Sequence, residues 1–406
     1  MNHSDWADTT LGEIATFKSG GTPSKQNGAF WGGQHPWISA KDLKTHYLST
    51  SIDTLTDIGF AESKRAPTGS SLVLVRGMTL LKDFPVGYAS RELAFNQDIK
   101  ALVPKPGIEP LFLSYLLVSK KDILLQNVSV AGHGTGKLET GVLKELSVVI
   151  PPIAEQTKIA QILSTWDKAI ATTERLLANS QQQKQALMQQ LLTGQKRFAG
   201  FTDEWITVEF DELLGIEIGG TPSRSNPAYW DTEKTTNNRW LSIADLKGNL
   251  ITDTSEYISD LGAAKSNTKL IPAGTIVMSF KLTIGRRAIL AADTYTNEAI
   301  CAFKIKDPKR LSNDFLFHAL CLVNFEKDID QAVKGKTLNK AKLKQLTLSL
   351  PSLLEQQKIA QVLSTTDAEI SNLQAQLAKL KLEKKALMQQ LLTGQRRVKL
   401  DADAAA

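Results

Sequence analysis

Clusters of lysine and arginine beside glycine and threonine are the strongest chemical signal in this sequence. Residues 280–287 read Phe-Lys-Leu-Thr-Ile-Gly-Arg-Arg, so Lys281, Arg286 and Arg287 surround a glycine turn at an expected strand end, with Thr283 between them. Residues 335–344 carry Lys336, Lys340, Lys342 and Lys344, with Lys334 just before and no acidic residue from 331 to 345. The first half offers Arg76-Gly77-Met78-Thr79, Lys82, Arg91 and Lys137, and Lys25, Lys41, Arg224 and Arg239 complete the candidate set. Such cations neutralise phosphates, and arginine's planar fork also reads guanine, so the chemistry on offer is DNA binding. The plainer reading of any one of them is a solvated surface charge.

Catalytic patterns are poorer. Asn226-Pro227-Ala228-Tyr229 is like the Asn-Pro-Pro-Tyr loop of adenine methyltransferases, but the second proline is missing and no glycine-rich cofactor strand precedes it. A repeat-specific loop accounts for it better. Gly132-His133-Gly134-Thr135-Gly136-Lys137 and Gly335-Lys336-Thr337 lack the spacing of a phosphate-binding loop. Five scattered histidines give no metal pair at helical spacing, and Glu62-Ser63-Lys64 reads as solvated surface. Trp31, Trp37, Trp230 and Trp240 are expected as core or loop anchors.

What positions these residues is written twice. Residues 151–197 and 351–397 align without a gap, and 26 of the 47 positions are identical, mostly at the two ends. Proline at 151 and 351 cannot continue a preceding strand, and glycine at 194 and 394 stops a helix ahead of basic residues that suit its negative end. Each copy therefore predicts a helix of roughly 40 residues, about 60 Å long. Trp166, Ile170, Thr173, Leu177, Ser180, Lys184, Leu187 and Leu191 alternate steps of four and three. Thr366, Ile370, Leu373, Leu377, Leu380, Lys384, Leu387 and Leu391 fall at the same steps. That is a coiled-coil seam, and the helices are expected to pair with each other. Two like units pairing through one surface imply a pseudo-two-fold and hence antiparallel helices. The polar positions Thr173, Ser180 and Lys184 weaken the pair relative to an all-leucine seam, which leaves room for helices from a partner.

The segments before the helices repeat as well. Gly20-Gly21-Thr22-Pro23-Ser24 returns as Gly219-Gly220-Thr221-Pro222-Ser223. Phe30-Trp31 returns as Tyr229-Trp230, Trp37-Ile38-Ser39 as Trp240-Leu241-Ser242, and Asn96-Gln97 as Asn297-Glu298. The offset wanders here but holds at 200 through the helices, so one scaffold carries two different surfaces. Residues 72–76, 99–103 and 146–150 read as buried strands and 110–118 as a helix. The expected organisation is an α+β chain: globule 1–150, helix 151–197, globule 198–350, helix 351–397 and a tail 398–406.

Composition excludes several classes. A chain of 406 residues is too long for one ordinary core. Cys301 and Cys321 give neither a disulfide framework nor a zinc pattern, which suits a reducing compartment. The first ten residues predict no secretory leader, and no apolar run approaches the roughly 18 residues needed to cross a bilayer. Net charge is +6, but residues 1–150 carry 15 basic and 14 acidic side chains, and 201–350 carry 19 of each. Charge alone permits DNA without demanding it.

The whole chain resembles the specificity subunit of type I restriction–modification systems. The resemblance rests on Pro151, Pro152, Glu155, Gln156 and Ile159 with Pro351, Glu355, Gln356 and Ile359. It rests also on Leu191-Leu192-Thr193-Gly194 followed by Arg197-Phe198, Gly200-Phe201 and Trp205, on the Gly-Gly-Thr-Pro-Ser loops, and on Lys281–Gly285. It implies two target recognition domains that each read half of an asymmetric bipartite site in double-stranded DNA. It implies helices that fix the gap and dock two methyltransferase subunits, with restriction subunits joining them. S-adenosylmethionine, ATP and Mg are then expected on the partners, no cofactor or metal on this chain, no catalysis by it, and a cytoplasmic location. The first globule departs from the pattern, since Met78-Thr79-Leu80-Leu81-Lys82 replaces the Thr-Ile-Gly turn. The alternative is a self-sufficient DNA methyltransferase or nuclease.

Overall fold

The computed structural model describes residues 5–130, 134–325, 330–332 and 335–400, the stretches 330–332 and 335–337 by backbone only. The chain divides into two compact units. One comprises residues 1–174 and 375–406, the other residues 175–374. Each unit thus owns one globule and one stretch of each long helix.

In the first unit a five-stranded sheet runs in the order Ala15–Ser19, Ile99–Pro104, Ser71–Leu74, Val86–Ala89, Tyr47–Leu48, with only the last pairing parallel. A second sheet runs Thr54–Leu55, Trp31–Ile38, Leu93–Phe95, Arg65–Ala66. In the second unit the five strands are Leu214–Ile218, Ile300–Ile305, Ile276–Ser279, Arg287–Leu290 and Leu250–Ile251. Its four-stranded sheet is Glu256–Tyr257, Arg239–Leu241, Thr294–Thr296, Leu270–Ile271. The strand order is the same, element for element.

The central strands Ser71–Leu74 and Ile276–Ser279 are buried at every position, because both faces of the sheet are covered. One cover is the helix Pro110–Ser119, started by a proline and capped by Glu109, or its counterpart Asn313–Ala319, capped by Ser312. The expected elements at 72–76, 99–103, 110–118 and 146–150 are all present.

The strands Ser147–Ile150 and Thr347–Leu350 lead through the prolines into the long helices Ile153–Leu191 and Leu353–Leu392. Both helices end ahead of a glycine with φ +72°, at Gly194 and Gly394, a conformation that disfavours any side chain with a Cβ. From 168 to 186 only residues 170, 173, 177, 180 and 184 escape full exposure, and from 368 to 386 only 370, 373, 377, 380 and 384. The predicted seam is therefore the one formed. Within the first unit Glu155 meets Arg397, Asp167 meets Lys384 and Glu174 meets Lys381, so one partner number falls as the other rises and the helices are antiparallel. The second unit shows the same order through Ser180–Glu369, Lys184–Asp367 and Arg197–Glu355.

The larger core of each unit is built from globule and helices together. Ile159 and Leu163 are fully buried in the first unit beside Leu391 and Leu392, as are Ile359 and Leu363 in the second beside Leu191 and Leu192. Each such side chain contributes roughly 2 kcal/mol of burial, so the repeat's conserved ends are its packed ends. Among the described residues no helix is long and apolar enough to cross a membrane.

Candidate nucleic-acid interface

The Gly-Gly-Thr-Pro-Ser loops of the candidate surface are held by the two tryptophans of each globule. The Trp37 indole donates to the Gly21 carbonyl at 3.1 Å and the Trp31 indole to Ser24 at 3.1 Å. Trp240 and Trp230 do the same to Gly220 at 3.0 Å and Ser223 at 3.2 Å. Each pair packs edge to face with centroids 5.1 Å apart. A Cβ on Gly20 would lie 2.1 Å from the Asn96 carbonyl, and one on Gly219 2.0 Å from that of Thr296, so only glycine lets the loop approach the strand. Thr22 then donates to Gln97 at 2.6 Å, and Thr221 to Glu298. The tryptophans are anchors, as expected.

Two predicted cations belong to this frame. Lys25 lies 5.6 and 5.7 Å from the Trp31 and Trp37 rings, and Arg224 lies 3.8 and 4.9 Å from those of Trp230 and Trp240. Arg224 also forks onto Glu256, which raises its pKa through that hydrogen bond. Arg224 and Lys25 both remain exposed, Arg224 with its fork engaged on Glu256.

A second group gathers where the central strand ends. Val75 accepts from the Leu138 amide at 2.9 Å and Phe280 from that of Leu338 at 3.1 Å, so these two positions are equivalent. The next residues, Arg76 and Lys281, are therefore the same site in the two globules. Arg76 pairs across the sheet with Lys137, and Lys82 is exposed nearby in sequence. Lys281 spreads over the Phe280 ring at 5.4 Å, with Thr283 and Arg286 exposed beyond it. Lys41, Arg91 and Lys340 are exposed as well. Lys137 pairs with Glu139 at 2.5 Å, and half-buried Arg239 leans towards Asp253 at 3.7 Å.

Arg287 requires a correction. Its Nε donates to the Phe317 carbonyl at 2.6 Å, its guanidinium sits over the Phe317 ring at 5.1 Å, and burial lowers its pKa. Arg287 opens the strand Arg287–Leu290 half-buried, whereas Arg286, one residue before the strand, is exposed. Lys334 lies outside the described residues, and Lys336 belongs to the strand Gly335–Thr337 with its side chain not described. Gly136–Lys137 and Gly335–Thr337 are strands rather than turns opening a helix, so neither builds a phosphate loop. Asn226 caps a short turn by accepting from Ala228 at 3.1 Å, and Asn27 accepts from Ala29 at the same distance, which makes the Asn-Pro-Ala-Tyr stretch a shared structural loop.

The repeated helix ends carry buried contacts between distant residues. Glu355, fully buried, accepts from Arg197 at 2.9 and 2.7 Å and from the Trp205 indole at 3.2 Å. Glu155 accepts from Arg397 at 2.7 Å through both nitrogens and from the Trp6 indole at 3.2 Å. Gln156 binds the Glu109 amide and the Pro151 and Gly107 carbonyls, while Gln356 binds the Ser312 amide and the Pro351 and Arg310 carbonyls. Glutamate-glutamine recurs at one spacing in the sequence, but apart from the adjacent prolines the partners lie 44 to 242 residues away.

The family model for the type I restriction modification DNA specificity domain matches residues 3–179 and again 202–382. The chain belongs to that specificity family. The two matches fall on the two copies described above, each a globule with most of the helix that follows it. Among relatives, the MjaIX specificity subunit of Methanocaldococcus jannaschii is 26% identical over 427 residues, spanning 97% of this chain and 94% of that one. The EcoR124I/EcoR124II specificity subunit of Escherichia coli is 31% identical over 161 residues, 39% of this chain and 40% of that one. In fold, the S subunit structure from M. genitalium aligns with a TM-score of 0.65 over 97% of both chains at 14% identity. A structure described for assembly and conformational transition of a type I system aligns at 0.57, with 18% identity, over 96% of this chain and 97% of that one.

Proposed function

We propose that this chain is the DNA-reading subunit of a type I restriction–modification complex, with each globule reading one half of an asymmetric bipartite site. The observation that carries the reading is the repeat itself. The two globules share strand order, glycine loops, tryptophan anchors and helix clasps, yet they differ at the surface positions that would meet DNA. Arg76 stands where Lys281 stands, and Gly77-Met78 where Leu282-Thr283 stands. A shared frame with unlike contact residues is what two unrelated half-sites require.

In this reading the paired helices set the gap between half-sites and dock two methyltransferase subunits, whose adenine chemistry uses S-adenosylmethionine. Restriction subunits bring ATP and Mg. The chain itself supplies recognition and no catalysis, and it works in the cytoplasm with the DNA it surveys. The near-neutral globules fit a subunit that gains its full DNA affinity inside the complex.

The test is methylation of genomic DNA by the chain co-expressed with its methyltransferase subunits, followed by sequencing of modified adenines. A bipartite motif with two unlike halves supports the reading. Methylation or cleavage by the pure chain alone would replace it with the self-sufficient enzyme.

A further inference from the structure

The turn after the central strand of the second globule holds a leucine where the backbone least suits one. Leu282 has φ +63° and is 65% exposed, so a left-handed conformation is combined with a large apolar side chain kept in water. The turn is firmly tied. Ser279, itself buried, donates through Oγ to the Thr283 carbonyl and to that of Arg286 at 3.3 Å. Its amide also donates to Arg286 at 2.8 Å, and its carbonyl accepts from Gly285 at 2.9 Å. Phe280 before the tip is buried, and Ile284 after it packs against the core of the second globule. The anchoring leaves Leu282 at the tip.

The first globule shows that the fold does not demand this leucine. Counting from the equivalent positions Val75 and Phe280, the second residue on is Gly77 with φ +145° in one copy and Leu282 in the other. One copy places glycine at positive φ; the other holds a branched side chain there. Backbone strain of this kind persists only where its surroundings hold it in place. Here the residues beside it are Lys281, Thr283 and Arg286.

We propose that Leu282 is a base-reading residue of the second globule, making an apolar contact with a thymine 5-methyl group in the major groove. The cations around it hold the neighbouring phosphates, which fixes register without reading sequence. The thymine methyl is the apolar feature that the major groove offers, and a rigidly presented leucine matches it. The proposal rests on the DNA-reading function above.

The test uses the full chain assembled with its methyltransferase subunits, on a duplex carrying the methylated motif. Each thymine of the motif is replaced in turn by uracil, which removes only the methyl group. With the natural chain one replacement weakens binding roughly tenfold. With Leu282→Gly or Leu282→Asn that sensitivity disappears, binding to unrelated duplex is unchanged, and the thermal midpoint does not fall, since both residues accept positive φ. Uracil sensitivity that persists in both variants, or no responding thymine, overturns the assignment while leaving the DNA-reading function intact. A complex with no sequence preference at all would overturn both.

Discussion

Lys384 reaches across the helical seam of the first unit to Asp167, and Lys184 makes the same ion pair with Asp367 in the second. Both pairs are largely shielded, with side-chain exposures between 17 and 23%. The lysines break the apolar run of the seam, yet each has a dedicated partner that is met only in one antiparallel register. A polar residue at a seam position costs stability and specifies alignment. These lysines are therefore register pins rather than plain weak points.

Charge exchange tests this. Lys184→Asp or Asp367→Lys alone should each destabilise the chain by about 1–3 kcal/mol, because a partly buried charge then faces its like. The double exchange should recover much of the loss. Thermal unfolding of the three variants checks it, and additive losses in the double variant would remove the pairing from the account.

The buried clasp at the helix ends predicts a strict preference for arginine. Arg197→Lys should lower the unfolding midpoint by several degrees, since lysine cannot fork onto both oxygens of buried Glu355. Glu355→Gln should be milder, because it keeps an acceptor for the Trp205 indole while removing the buried charge. Equal midpoints for natural chain and Arg197→Lys would contradict the role given to the fork.

Acid sensitivity should come from histidine. His318 is buried against Ser364 at 3.0 Å, and desolvation pushes its pKa down to about 4. Desolvation likewise pushes His46, stacked on Tyr115, down to about 4. The unfolded chain binds these protons near pH 6.5, the folded chain only near 4, so stability is full above 6.5 and falls as pH drops between them. For His318 the loss is of order 3 kcal/mol. Glu109, raised by burial, acts in the opposite direction over part of that range. Denaturant midpoints from pH 4 to 7 should show the decline, and His318→Gln should flatten it. An unchanged slope in that variant would refute the assignment.

Neighbouring arginines should separate binding from folding. Arg286→Ala should weaken DNA binding by the assembled complex about equally on all sequences, as loss of a phosphate contact does, with the thermal midpoint unmoved. Arg287→Ala should lower the midpoint, because it strands the Phe317 carbonyl that Arg287 Nε now satisfies. Binding isotherms and melts on both variants decide; the reverse pattern would invert the reading of this strand.

The sequence carried the architecture plainly because the architecture is periodic and duplicated. Steps of four and three from Trp166 to Leu191 and from Thr366 to Leu391 appeared as the seam, and the glycine-glycine-threonine loops appeared twice because their backbone approach excludes any Cβ. Interactions distant in sequence were not legible. The partner of Lys384 is 217 residues away, and that of Arg397 is 242 residues away. Nor does sequence show which way a side chain turns at a strand's first residue. That is why Arg287 reads like Arg286 in the sequence although Arg286 is exposed and Arg287 half-buried against Phe317. Leu282 gave no sign, since positive φ at a non-glycine residue is invisible before the backbone is known.

The claim that two readers share one spacer is tested most directly by lengthening the spacer. Four residues, one turn and about 6 Å of rise, are inserted after Gln182 and after Leu382, between the two lysine–aspartate pins on both helices. The methylated motif of the assembled complex is then sequenced. The account predicts a longer gap between two unchanged half-sites. A gap that stays fixed while either half-site changes would contradict it.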